Sequence, residues 1–226
     1  MTNETKHGRK RSLLKLAGGL VLVLLVGAGF LYGPNLYSLM RAGQEIDKIS
    51  SDAIRISGPW PRAIDSCFYC HDGPQGNGQN QQYARLVGQP EVYLKKQLKA
   101  FASGERYDPT MTPFALSLTD TEFESIVKNF SRMKPQANSS FHGDQARIAR
   151  GEALAKAANC ASCHGQQLQG QGDYPRLAGQ SYNYLVDQLS NFKDGKRRDP
   201  AGVMPAVAAA FSQQDIEDLA QFLASR

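Results

Sequence analysis

No stretch of this chain alternates apolar and polar residues for long enough to make a strand, so a sheet-based fold is excluded and an all-α architecture is expected. Basic stripes with interleaved aromatics are also missing. The formal net charge is +5, but residues 1–15 (Lys6, Arg9, Lys10, Arg11 and Lys15 against Glu4) supply +4 of it. The rest is close to neutral, which argues against a nucleic-acid partner. Charge of either sign is absent from residues 16–40. Cysteine and histidine are scarce, four of each. Any chemistry that uses all four cysteines leaves none for a disulfide, a nucleophile or a thiolate ligand.

The cysteines fall in two pentapeptides, Cys67-Phe68-Tyr69-Cys70-His71 and Cys160-Ala161-Ser162-Cys163-His164. Two cysteines spaced by two residues and followed directly by histidine form a c-type haem attachment site. Each thiol adds across one haem vinyl group, and the adjoining His reaches the iron from the proximal side. Two CxxC pairs could instead hold one zinc ion, or form disulfides or redox pairs. Zinc pairs usually lie closer together, and neither alternative requires a His after each second Cys. The pattern predicts two covalently bound c-type haems, attached through Cys67, Cys70, Cys160 and Cys163, with His71 and His164 on the iron.

The chain repeats itself. Cys67, Cys70 and His71 map onto Cys160, Cys163 and His164 at an offset of 93. Arg85-Leu86-Val87-Gly88-Gln89 matches Arg176-Leu177-Ala178-Gly179-Gln180 at an offset of 91. At that offset Tyr93, Gln97, Phe101, Gly104, Arg106 and Asp108 also meet Tyr184, Gln188, Phe192, Gly195, Arg197 and Asp199. Two copies of one domain are expected, residues 58–133 and 145–226, joined by a polar linker at 134–144. A haem supplies much of the core in a domain of this size, which would otherwise be marginal.

In each copy a middle helix is expected, Glu91–Ser103 and Tyr182–Lys193, with Leu94, Leu98 and Phe101 on one face of the first. A last helix follows a capping box, Thr119 with Glu122 and Ser212 with Asp215. The Ala-rich residues 151–158 before the second haem site should be helical. Their counterpart begins at Gly58 and carries Pro59 and Pro61, so it should be shorter or irregular.

A haem iron that only carries electrons needs a sixth ligand. Of the four histidines, two are proximal, His7 lies before the apolar segment and His142 lies in the linker. Of five methionines, Met1 and Met40 lie outside the domains and Met133 has no partner in the second copy. Met111 and Met204 occupy matching positions beside a proline in loops. A Met is more often core filler, but the matched placement points to ligation. His/Met ligation raises the haem potential relative to bis-His.

Residues 16–32 form an apolar run behind the basic cluster. With its flank the run approaches the roughly 17–25 residues that cross a bilayer. The expectation is a basic cytoplasmic stub and single transmembrane helix over residues 1–33, with the haem domains on the periplasmic side of a bacterial inner membrane. A cleaved signal peptide is the competing reading, although no clear A-x-A site occurs. Residues 34–57 then read as a tether, with Leu39, Ala42, Ile46, Ile49, Ala53 and Ile56 near helical spacing.

The paired CxxCH sites, the Arg-Leu-x-Gly-Gln segments, the Tyr-Leu-x-x-Gln-Leu helices and the two Met positions resemble the di-haem cytochrome c4 family, over residues 58–226 and in a membrane-anchored form. The resemblance implies two tandem class I cytochrome c domains packed face to face with haem propionates near each other. It also implies electron delivery to a terminal oxidase, with a quinol-oxidising cytochrome bc complex or another redox protein as donor. In such folds a proline carbonyl before the Arg-Leu pair accepts a hydrogen bond from the proximal His. Pro175 fits that role for His164, whereas the first copy has Ala84. Arg85 and Arg176 resemble the family's propionate partners. An electron carrier is therefore expected. A fixed subunit of an oxidase or dehydrogenase complex is the alternative. A di-haem peroxidase would need an open iron with distal acid–base groups, and a thiolate-ligated thiosulfate-oxidising site would need a fifth cysteine.

Overall fold

The computed structural model describes residues 26–48, 63–71 and 81–226, together with Gly19 and Leu22. The chain divides into two compact units, Met1–Gly58 and Pro59–Arg226. In the first unit residues 26–48 form one helix, α1. The expected transmembrane anchor, and with it the single-pass inner-membrane location, is corrected here: among the described residues no helix is long and apolar enough to cross a membrane. Arg41, Glu45, Asp47 and Lys48 occupy the end of α1. The uncharged part before them carries Gly27, Gly29, Gly33, Pro34, Asn35 and Ser38, which dilute its apolar character. Most of the apolar run at residues 16–25 lies outside the described residues, as do the remainder of the tether, the proline-bearing residues 58–62 and most of the loop after His71.

The second unit is all helical among the described residues, apart from one isolated bridge between Gln171 and Tyr174. Its first half contains a 3-10 helix η1 (Ala63–Tyr69), α2 (Glu91–Ser103), α3 (Met111–Ser117) and α4 (Asp120–Arg132). Its second half contains α5 (Gln145–Ala157), α6 (Ala161–His164), α7 (Tyr182–Lys193), α8 (Val203–Ala209) and α9 (Gln213–Ala224). Each half has its own core. Ile64, Val87, Leu94, Ile126, Val127 and Phe130 form the first. Ala155, Leu168, Leu185, Phe211, Ile216, Leu219 and Leu223 are among the residues of the second.

The helix starts follow from local chemistry. Thr119 caps α4 and Ser212 caps α9, each in a capping box with Glu122 or Asp215. Met111 and Met204 stand in short helices, α3 and α8, where the sequence suggested loops. Seven residues are too few to show a helical period, and a proline in the first turn does no harm. Helices α5 and α9 cross closely because position 151 is glycine. A Cβ there would lie 2.0 Å from the Asp218 carbonyl oxygen.

The two halves of this unit are clasped by a reciprocal device. Gln180 accepts from the Arg85 N–H at 2.6 Å and donates to the Arg85 carbonyl at 3.0 Å. Gln89 does the same to Arg176, at 2.9 Å for both bonds. Each side chain imitates a strand partner for the other half's backbone, so four backbone polar groups, the two of Arg85 buried and the two of Arg176 part-buried, are satisfied across the seam. The glycine before each Gln is tied to the last helix of its own half, Gly88 to the Phe130 carbonyl at 2.9 Å and Gly179 to that of Leu223 at 2.8 Å.

Candidate haem centres

In the first half, the last turn of η1 gathers the cysteines and the histidine. The His71 N–H donates to the Cys67 carbonyl at 2.9 Å, and the Cys70 N–H donates to the same oxygen at 3.3 Å. In the second half the His164 N–H donates to the Cys160 carbonyl at 3.0 Å, across the single turn of α6. All four cysteines are free thiols of intermediate exposure. Burial, more than any neighbour, raises the Cys67 and Cys160 thiols above their ordinary value. No group of three or more metal-ligating side chains converges among the described residues, so the two CxxC pairs do not assemble a zinc cage.

The imidazoles are oriented alike. His71 Nδ1 donates to the Ala84 carbonyl at 2.7 Å, and His164 Nδ1 donates to the Pro175 carbonyl at 2.9 Å. A proton on Nδ1 leaves Nε2 with its lone pair, the tautomer an iron ligand needs. Burial lowers the His164 pKa and the Pro175 carbonyl only partly opposes it, so the ring is neutral at neutral pH. A tyrosine meets each ring edge-on, Tyr83 at His71 and Tyr174 at His164, both with centroids 6.1 Å apart. These tyrosines were not singled out from the sequence, although they share the offset of the Arg-Leu segments that follow them. Thiols presented on one turn beside a pre-oriented imidazole fit a c-type haem in both halves.

Met111 opens α3, and its N–H donates to Asp108 Oδ1 at 2.8 Å. Met204 lies in the first turn of α8, and its N–H donates to Asp199 Oδ2 at 2.8 Å. The two methionines are thus held by matching aspartates, and both are half-buried. The expected propionate partners are placed less alike. Arg85 is buried, and its guanidinium donates to the carbonyls of Gly179 at 2.5 Å and Gln136 at 2.9 Å. Its described bonds therefore join the halves. The Arg176 guanidinium is lowered by burial and then by the nearby charge of Arg85.

Comparison with known proteins agrees with this geometry. Residues 148–226 match the cytochrome c family. The chain is 33% identical over 175 residues to the thiosulfate dehydrogenase electron acceptor of Thiomonas intermedia (strain K12), covering 74% of this chain and 81% of that protein. It is 33% identical over 173 residues to cytochrome c4 of Thiocapsa roseopersicina, covering 72% of this chain and 88% of the relative. The crystal structure of reduced recombinant cytochrome c4 from Pseudomonas stutzeri superposes with a TM-score of 0.65 at 30% identity, over 72% of this chain and 94% of that one. The doubled attachment turn, repeated in an all-helical fold that cytochrome c4 shares, makes this chain a member of the cytochrome c4-like di-haem class I cytochromes c, with two covalently bound c-type haems.

Proposed function

We propose that this di-haem cytochrome is a one-electron carrier without bond chemistry of its own, in which His71 and Met111 would hold the first haem iron and His164 and Met204 the second. The matched methionines carry this reading, because each follows the histidine of its own copy by 40 residues. When bound, each haem supplies a reversible one-electron couple. The protein's part is to hold the imidazoles through Ala84 and Pro175, and Met111 and Met204 would each offer a thioether to the iron of its own half. With both thioethers bound, neither iron would offer a position to peroxide or another substrate.

The proposed acceptor is a terminal haem–copper oxidase, and the donor is a quinol-oxidising bc complex or another redox protein. The relative named as the electron acceptor of thiosulfate dehydrogenase supports a second donor, a thiosulfate-oxidising enzyme. The test is stopped-flow mixing of the ferric holoprotein with each donor, and of the ferrous holoprotein with the oxidase and oxygen. Rapid reduction of both haems by one donor and rapid reoxidation by the oxidase are expected, with no peroxide consumption and no carbon monoxide adduct. Peroxide turnover or carbon monoxide binding by the native protein would replace the carrier with an enzyme.

A further inference from the structure

The segment leading to each methionine is fastened at its start to the opposite half. Arg106 precedes Asp108, whose Oδ1 accepts from the N–H groups of Thr110 at 2.9 Å and Met111 at 2.8 Å. Arg197 precedes Asp199, which accepts from Ala201 at 3.0 Å, Val203 at 3.3 Å and Met204 at 2.8 Å. The turn that presents each Met is therefore fixed two residues beyond an arginine.

The arginines themselves are fixed by crossed bonds. Arg106 lies over the Phe101 ring at 4.5 Å, and Arg197 over Phe192 at 4.5 Å, each aromatic belonging to its own half. Arg106 donates to Tyr184 Oη at 3.1 Å and Gln188 Oε1 at 2.9 Å, both in the second half, and to Gln97 Oε1 at 2.7 Å in its own. Arg197 mirrors it, donating to Tyr93 Oη at 3.2 Å and Gln97 Oε1 at 3.0 Å in the first half, and to Gln188 Oε1 at 2.8 Å. Among the described residues neither guanidinium has a carboxylate partner, so phenol and amide oxygens are the acceptors that hold them. Burial pushes the Tyr184 phenol up, but the charges of Arg106 and Arg197 outweigh it and bring it down to about 8. A guanidinium stacked on a ring and forked onto neutral acceptors is locked in direction as well as place.

We propose that Arg106 and Arg197 are positioning residues that work across the seam: each steadies the methionine of its own half through a brace whose far end belongs to the other half. The methionine bond to each iron then depends on a tyrosine from the opposite domain. This rests on the reading of Met111 and Met204 as axial ligands.

The test uses the holoprotein and the far-red band of Met-ligated ferric haem, together with imidazole binding to the ferric form. Met111→His should remove the first half's share of the band and leave only that of the Met204 site. In this background Tyr93→Phe, a change in the first half, should tighten imidazole binding at the second-half iron by about tenfold, the equivalent of one lost hydrogen bond. Arg197→Lys should do the same, since the ammonium keeps the charge but not the fork. Tyr184→Phe should have a clearly smaller effect, because Tyr184 also reaches Arg197 but its phenol accepts from Arg106 at 3.1 Å. In the Met204→His background the two tyrosine variants should exchange effects. If Met111→His and Met204→His leave the band whole, the ligand assignment fails and takes the brace with it. If the band divides as assigned but Tyr93→Phe and Tyr184→Phe act alike or not at all, the brace alone is wrong. Haem content and melting temperature, expected to stay near those of the parent, separate a loosened methionine from a misfolded domain.

Discussion

Asp218 is the most tightly held carboxylate among the described residues. Its side chain is buried against α5 and accepts from Arg147 Nε at 2.6 Å, Arg150 Nε at 2.7 Å and Gln214 Nε2 at 3.0 Å. Burial alone would raise its pKa, but the bonds from Arg150, Arg147 and Gln214 outweigh it and lower it to about 2. A folded-state value below the unfolded one means that the native state binds fewer protons. The contribution to stability is complete above about pH 4 and is lost as the pH falls towards 2. The span corresponds to about 2 kcal/mol. Asp218→Asn should therefore destabilise the second domain by about that amount at pH 7 and by almost nothing at pH 2. Urea unfolding of both proteins at the two pH values reads this directly, and equal losses at both would show that the charge is not the cause. The first domain has Ser125 at the matching position, whose hydroxyl accepts one long bond, from Asn129 Nδ2 at 3.3 Å, so Ser125→Ala should cost the first domain clearly less than Asp218→Asn costs the second, and equally at both pH values.

Among elements, α7 depends on the other half of the molecule for its start. Ser181 gives it no side-chain cap. Instead the Tyr182 N–H donates to Gln81 Oε1 at 2.9 Å, and the Tyr184 N–H donates to the Gln81 carbonyl at 3.2 Å. Gln81 Nε2 in turn donates to Asn138 Oδ1 and Ser140 Oγ in the linker, both at 2.8 Å. A helix N-terminus with unmet N–H groups frays. Gln81→Ala should cost about 1 kcal/mol and speed amide exchange at the start of α7 more than at its end. Uniform exchange along α7 would show that the contact is incidental. Such a cap was not legible in the sequence, because its two partners lie about a hundred residues apart. What was legible had a local signature. The apolar faces of α2 and α7, the capping boxes of α4 and α9 and the two attachment turns each show within a dozen residues. Helices α3 and α8 did not show, because seven residues are under two turns and too few to repeat an apolar pattern. Arg106 and Arg197 were visible as repeat partners, but their task was hidden because each bonds across the seam. The anchor misled for another reason: an apolar run in the sequence was carried into a helix that ends in charges.

At the scale of the whole molecule the two copies are not electrical duplicates. The second has the rigid Pro175 carbonyl behind a buried His164 and a regular α5 before its cysteines. The first has Ala84 behind a half-buried His71, and its first cysteine stands in a 3-10 helix, η1. Proline fixes its own φ and so steadies the carbonyl that orients the imidazole. Alanine does not, and a more exposed ring admits water. Water near the iron stabilises the ferric charge, and exposure and outer-shell hydrogen bonds both tune haem potential. The crossed cluster of Arg106 and Arg197 draws on both halves alike and so should not create the difference. The first-domain haem is therefore expected to have the lower potential, so that electrons enter there and leave through the second domain. A redox titration of the native protein should show two one-electron steps. Replacing a thioether by imidazole lowers a haem potential, so Met111→His should move the lower step further down and leave the upper one near its place, while Met204→His should move the upper step. If Met111→His moves the upper step, or if the native haems titrate as one, the asymmetry of Ala84 and Pro175 does not set the order of electron flow.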